Sequence, residues 1–245
     1  WAYMDGTSMA SPHVTGVAAL IASQDPSFRT TAGIPALRAR LLATGKSLPL
    51  TANDTVTGRI VDARFALDWQ PPVAVAPNSY SFLVGSTLGS TSISSTIGWP
   101  VATDDAAGVR NYQLDHQVGS GGWTTVALAT TTRTASRALS LGSANRLRVL
   151  ARDFAGNIGT FATGPAVTPT LYQETTSLAT YGGTWSTSTS SSYSGGRSRY
   201  ATKAGAWASL RFTGRAVALV APKGVTRGSA KVYVDGAYVG TVSLY

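Results

Sequence analysis

Ser8 is the residue of this chain whose neighbours best suit it to chemistry. It sits in Gly6-Thr7-Ser8-Met9-Ala10-Ser11-Pro12-His13-Val14, a hydroxyl among small residues just ahead of a helical pattern. Attack on a carbonyl carbon needs such a hydroxyl at the mouth of a cleft, with backbone N–H groups close by to hold the oxyanion. Gly6 lets the chain approach closely, and Ala10 and Ser11 leave room around the nucleophile. Val14, Val17, Ala18, Leu20 and Ile21 recur at helical spacing, and the alanines with Gly16 predict a closely packed, buried helix. Ser8 would then stand at the N-terminus of that helix, where the dipole favours developing negative charge. Pro12 is tolerable in a first turn, where its missing N–H has no partner to lose. The same place equally suits a serine that only caps a core helix.

A serine nucleophile needs a base, and the chain has two histidines. His13 follows Ser8 by five residues, roughly 140° around a helix, so its ring points away from the hydroxyl. His116 alternates with Tyr112, Leu114 and Val118, which reads as the inner face of a strand in another domain. Neither histidine is placed to take the proton of Ser8.

The segment Gly6–Val14 resembles the nucleophile segment of the subtilisin-like serine peptidases, which reads Gly-Thr-Ser-Met-Ala-x-Pro-His in that family. The resemblance implies a serine endopeptidase acting on protein or peptide substrates. Ser8 would be its nucleophile, with the Ser8 backbone N–H also serving the oxyanion hole, and Gly6, Thr7, Met9, Ala10 and Pro12 would be the supporting motif. His13 would be a packed, hydrogen-bonded residue rather than the base. The family's aspartate and histidine segments, and the asparagine of its oxyanion hole, have no match here. Because the serine lies late in that family's domain, the resemblance implies a C-terminal fragment that is not catalytic alone. Gly58-Arg59-Ile60-Val61-Asp62-Ala63-Arg64-Phe65-Ala66-Leu67 is similar to the segment that closes many domains of this family. Asp62 is expected there as a helix cap or salt-bridge partner. Before it, Pro35–Thr44 predicts an amphipathic helix with Leu37, Leu41 and Leu42 inward and Arg38 and Arg40 outward.

Composition bounds the rest. The chain has no cysteine, which excludes disulfides and thiol chemistry, and no apolar run of the ~20 residues a membrane span needs. Its net charge of +9 suits anionic polymers such as cell-wall polysaccharide. The charges are scattered, however, without a nucleic-acid motif, so a basic surface of a secreted bacterial protein is the expectation. No cofactor is called for, and a structural calcium is left open for the missing peptidase portion.

The fold class read from the chain is multidomain. Residues 1–70 form the C-terminal, helical remnant of an α/β subtilisin-like domain. From Trp69-Gln70-Pro71-Pro72 onward the helical spacing stops, and short alternating runs between turns predict a β-sandwich over 73–168. That stretch resembles an immunoglobulin-like or fibronectin type III-like module, with Trp99, Tyr112 and Trp123 available to its core. Leu147, Val149 and Ala151 alternate inward, leaving Arg146, Arg148 and Arg152 on a face expected to be solvated. Asp104, Asp105 and Asp153 offer calcium oxygens, but they do not cluster at ligand spacing, so turn-forming roles are expected. Residues 171–245 read as a β-rich accessory module, truncated and similar to a galactose-binding jelly roll. Asp235-Gly236 marks a tight hairpin in it. The module holds eight basic residues against two acids. Trp185, Tyr193 and Tyr200 are its candidate glycan contacts, with core aromatics as the other reading. An alternative of a different class follows: an extracellular binding or adhesion protein whose β-modules attach to cell-wall glycan or matrix.

Overall fold

A computed structural model describes residues 6–47, Pro49 and 57–245. The chain is mostly β, with few helices and several small sheets. It divides into two compact units, 1–79 with 97–135 and 146–166, and 80–96 with 136–145 and 167–245.

The first unit opens on helix α1, Thr7–Gln24, followed by α2, Ile34–Thr44, and the single turn α3, Ala63–Ala66. A two-residue ladder pairs β1, Lys46–Ser47, with β2, Arg59–Ile60. Val17 and Ile21 of α1 bury against Ala66, with Phe28, Leu37, Leu41 and Trp69 half-buried around them. Covering Ile21 fully is worth about 2 kcal/mol. The helix is otherwise less buried than its composition predicts. Val14 and Leu20 are 41% and 50% exposed, and a Cβ added at Gly16 would meet nothing within 4 Å. The reason is that α2 and α3 cover one stripe of α1, and the remaining apolar positions lie on other stripes.

Arg40 departs from its expected outward position. It stands three residues after Leu37 and so shares the covered side of α2. Its guanidinium lies 3.4 Å from the centre of the Trp69 ring and donates to the carbonyls of Ala66 and Asp68. Asp62 caps α3, its carboxylate accepting the Phe65 N–H at 3.2 Å.

The same unit carries most of a four-stranded sheet in the order β6-β5-β8-β9. Its strands are β5 Val109–Val118, β6 Thr124–Thr130, β8 Asn145–Asp153 and β9 Ala162–Thr163. Leu114, Leu147, Val149 and Ala151 are fully buried, as the alternation predicts, and Trp99 meets Tyr112 edge-on at 5.9 Å. On the opposite face Arg146 is exposed as expected, but Arg148 and Arg152 are half-buried and held by neighbours. Arg148 makes two hydrogen bonds to Asp115 Oδ2, at 3.0 and 3.1 Å. It lies 4.2 Å from the ring centre of Trp123 and 3.8 Å from that of Phe161. Trp123 therefore leaves the expected core and covers this cation instead. Arg152 donates to Gln113 on the same face.

The linker 68–72 is anchored within this unit. Asn157 donates its side-chain amide to the carbonyls of Asp68 and Gln70. Phe65 stacks on Phe154 with ring centres 5.7 Å apart. Pro72 is fully buried, and its carbonyl passes so close to Gly159 that a Cβ there would collide with it.

The second unit holds most of a three-stranded sheet in the order β3-β4-β7: Ser79–Phe82, Ser92–Gly98 and Thr134–Ser140. A jelly roll over 171–245 would need two facing sheets. The chain instead makes three separate antiparallel pairs there. They join β10 Ala179–Gly182 with β13 Trp207–Leu210, β11 Ser186–Thr189 with β12 Arg197–Tyr200, and β14 Ser229–Val234 with β15 Ala237–Ser243. The Asp235-Gly236 turn joins the last pair, with φ of +50° and +82° at its two residues. No residue from 171 to 245 is buried.

Candidate active-site segment

Gly6 is the N-cap of α1, at φ +125°, a backbone shape that favours glycine. Ser8 is the second residue of the helix and is exposed. Its hydroxyl does not act as a helix cap, since no side chain caps α1. The first intrahelical bonds run from Met9 and Ala10 to the Gly6 carbonyl, at 3.0 and 3.3 Å. The N–H groups of Thr7 and Ser8 thus belong to the orphan donors of a helix start, and with the dipole they favour negative charge beside the hydroxyl.

Pro12 is the sixth helical residue rather than part of the first turn. It has no N–H to give to the carbonyl four residues back, which is that of Ser8. Thr7, Met9 and Ala10 flank the serine in the first turn, all of them exposed.

The histidines stay apart from this chemistry. His13 Nδ1 is bonded to the Met9 carbonyl at 2.8 Å, which holds the ring on its own helix. His116 is 2% exposed inside β5, next to Asp115. Among the described residues no hydrogen bond joins the Ser8 hydroxyl to a base. The segment presents an exposed hydroxyl beside the orphan donors of a helix start.

The aromatic candidates of the last module separate as well. Trp185 donates to the Gly182 carbonyl at 3.0 Å and meets Tyr181 edge-on at 5.2 Å. The Tyr193 hydroxyl accepts from Arg227 at 3.5 Å. Both are half-buried, whereas Tyr200 is 38% exposed. Trp207, an aromatic of the same module outside the three candidate contacts, is 54% exposed and lies across Gly182, its partner in the β10–β13 register. That placement, a glycine opposite a tryptophan, is legible only once the two strands are paired.

Residues 1–65 match the sequence model of the Subtilase family. The match supports a subtilase-like segment and, at the level of the family, a serine-peptidase type of function. No curated protein matches the chain. Among solved structures, the twitchin kinase region from C. elegans (Fn31-NL-kin-CRD-Ig26) is 17% identical, with a TM-score of 0.28. The match covers 41% of this chain and 17% of that one.

Proposed function

We propose that Ser8 is the nucleophile of a subtilisin-type serine endopeptidase whose general base is neither His13 nor His116. The observation that supports this reading is an exposed Ser8 hydroxyl, not used as a cap, beside the free donors of a helix start. In the reaction Ser8 Oγ bonds to the scissile carbonyl carbon and its proton passes to the base. The tetrahedral oxyanion rests on the Ser8 N–H. The C–N bond then breaks, the base returns the proton to the leaving amine, and water hydrolyses the acyl-serine. The base and the residue that orients it belong, on this reading, to a longer secreted polypeptide, and the chain 1–245 is inactive alone.

A fluorophosphonate probe, which labels activated serines, tests both halves. The 245-residue chain should stay unlabelled. A polypeptide that joins it to subtilisin-type aspartate and histidine segments should be labelled at Ser8, and Ser8→Ala should abolish that labelling. Labelling of the 245-residue chain, or labelling that survives Ser8→Ala, overturns the proposal.

A second reading, an extracellular glycan-binding role for 171–245, is favoured by the exposed Trp207 in a segment with eight basic residues against two acids. Retention on insoluble cell-wall polysaccharide that falls at least tenfold in Trp207→Ala would support it.

A further inference from the structure

The three aspartates that offered calcium oxygens in the sequence do not stay together. Asp153 turns onto Asn157, accepting its backbone N–H at 2.8 Å and its side-chain amide at 2.7 Å. Asp68 takes its place. This linker residue is 3% exposed, and one carboxylate oxygen from each of Asp68, Asp104 and Asp105 lies within 4.8 Å of the others. Oxygens that share a Ca²⁺ ion at about 2.3–2.6 Å stand at most about 5 Å apart, so these three can reach one ion. The shorter bonds of Mg²⁺, about 2.1 Å, draw the limit in to about 4.2 Å.

A separate observation points to a missing partner. Asp104 Oδ1 is fully buried and has no hydrogen-bond partner among the described residues, although Oδ2 of the same carboxylate accepts the N–H groups of Ala106 and Gly108. A buried anionic oxygen without a donor is costly, and a cation with its bound water is a partner that relieves it. Beside the cluster opens a cavity of about 320 Å³ lined by Asp68, Trp69, Gln70, Asp105 and Ala106 among others. Asp68 accepts one N–H on each oxygen, from Gln70 and Ala107, which leaves lone pairs for an ion. Burial pushes the Asp68 carboxyl up, and the like charges of Asp104 and Asp153 push it further. The positive group facing it, Arg40, directs its donors to the carbonyls of Ala66 and Asp68.

We propose that Asp68, Asp104 and Asp105 hold a Ca²⁺ ion, completed by water on the side of exposed Asp105. Three carboxylates place its affinity in the range of about 10⁻⁴–10⁻³ M common to extracellular modules. The ion ties the linker after the helical segment to the turn that precedes β5.

The test uses the whole 245-residue chain, stripped with EDTA and titrated with CaCl₂ at constant ionic strength. Calorimetry should show heat saturating at one ion per chain, and 10 mM Ca²⁺ should raise Tm by about 3 °C. Asp105→Asn, and Asp105→Ser as a second variant at this exposed position, should lose both effects. Tb³⁺ in place of Ca²⁺ should luminesce on excitation of Trp69, and that emission should vanish in the same variants. Absence of heat and of a Tm shift in the unaltered chain overturns the proposal. So does an undiminished response in the Asp105 variants, or an equal response to Mg²⁺.

Discussion

Removing the Ser8 hydroxyl deletes an atom that no hydrogen bond among the described residues holds, so Ser8→Ala should change stability by less than about 0.5 kcal/mol, read as the urea midpoint. Arg148 is the opposite case. Its removal takes both donors from Oδ2 of Asp115, whose side chain is 4% exposed and whose Oδ1 keeps only the bonds from Gln113 and Thr125, and uncovers Trp123 and Phe161. Arg148→Ala should cost about 3 kcal/mol in urea unfolding. Arg148→Lys should recover little of it, because an ammonium can neither stack between two rings nor make both bonds to Asp115. Alternation in the sequence revealed the face of β8 on which Arg148 lies. It did not reveal what lies over that face, because Trp123 and Phe161 come from other parts of the chain. The Asp68 carboxyl, raised in the folded state, carries a pH prediction. Its contribution to stability is full below the unfolded value of about 3.9 and is lost as pH rises through the folded value. Calcium binds the ionised form, so the Ca²⁺-dependent rise in Tm should grow between pH 4 and pH 7. A constant increment across that interval would remove Asp68 from the site.

At the scale of elements, local devices were legible and tertiary ones were not. The Asp62 cap of α3 and the Asp235-Gly236 turn depend on residues within a few positions, and both stand where the sequence places them. Asp62→Ala should accordingly cost about 1 kcal/mol in urea unfolding. The inward turn of Arg40 depends on Trp69 and the carbonyls after α3, which no local pattern encodes. The exposed stripes of α1 are likewise invisible in its composition, since apolar spacing marks a face without naming its cover. Gly159 shows the same limit. In the sequence it is one glycine in a turn-rich stretch, yet it is the place where the Pro72 carbonyl enters. Gly159→Ala should push the linker out, lower stability by about 1–3 kcal/mol and open 68–72 to protease. Unchanged cleavage and midpoint would mean that the contact carries no load.

For the whole molecule, burial differs sharply between its parts. The residues from 171 onward contain no buried position, whereas the sheet of the first unit is built on fully buried Leu114, Leu147, Val149 and Ala151. Limited proteolysis should therefore cut first beyond residue 170, and the part that resists longest should include 97–135 and 146–166. Mass spectrometry of the early fragments decides it, and early loss of 97–135 would contradict the prediction. The bond from Asn157 to the Asp68 carbonyl spans 89 positions of sequence, and that separation sets an order in time. Closing a loop of that length costs more entropy than pairing the strands inside it, so the linker should be the last piece of its unit to arrive. The covered stripe of α1 meets Phe28, Leu37, Leu41 and Ala66 of its own segment, so the helical piece can gather by itself and dock late. Weakening Asn157 would thus hasten the departure of the helical segment far more than it would delay the assembly of the strands.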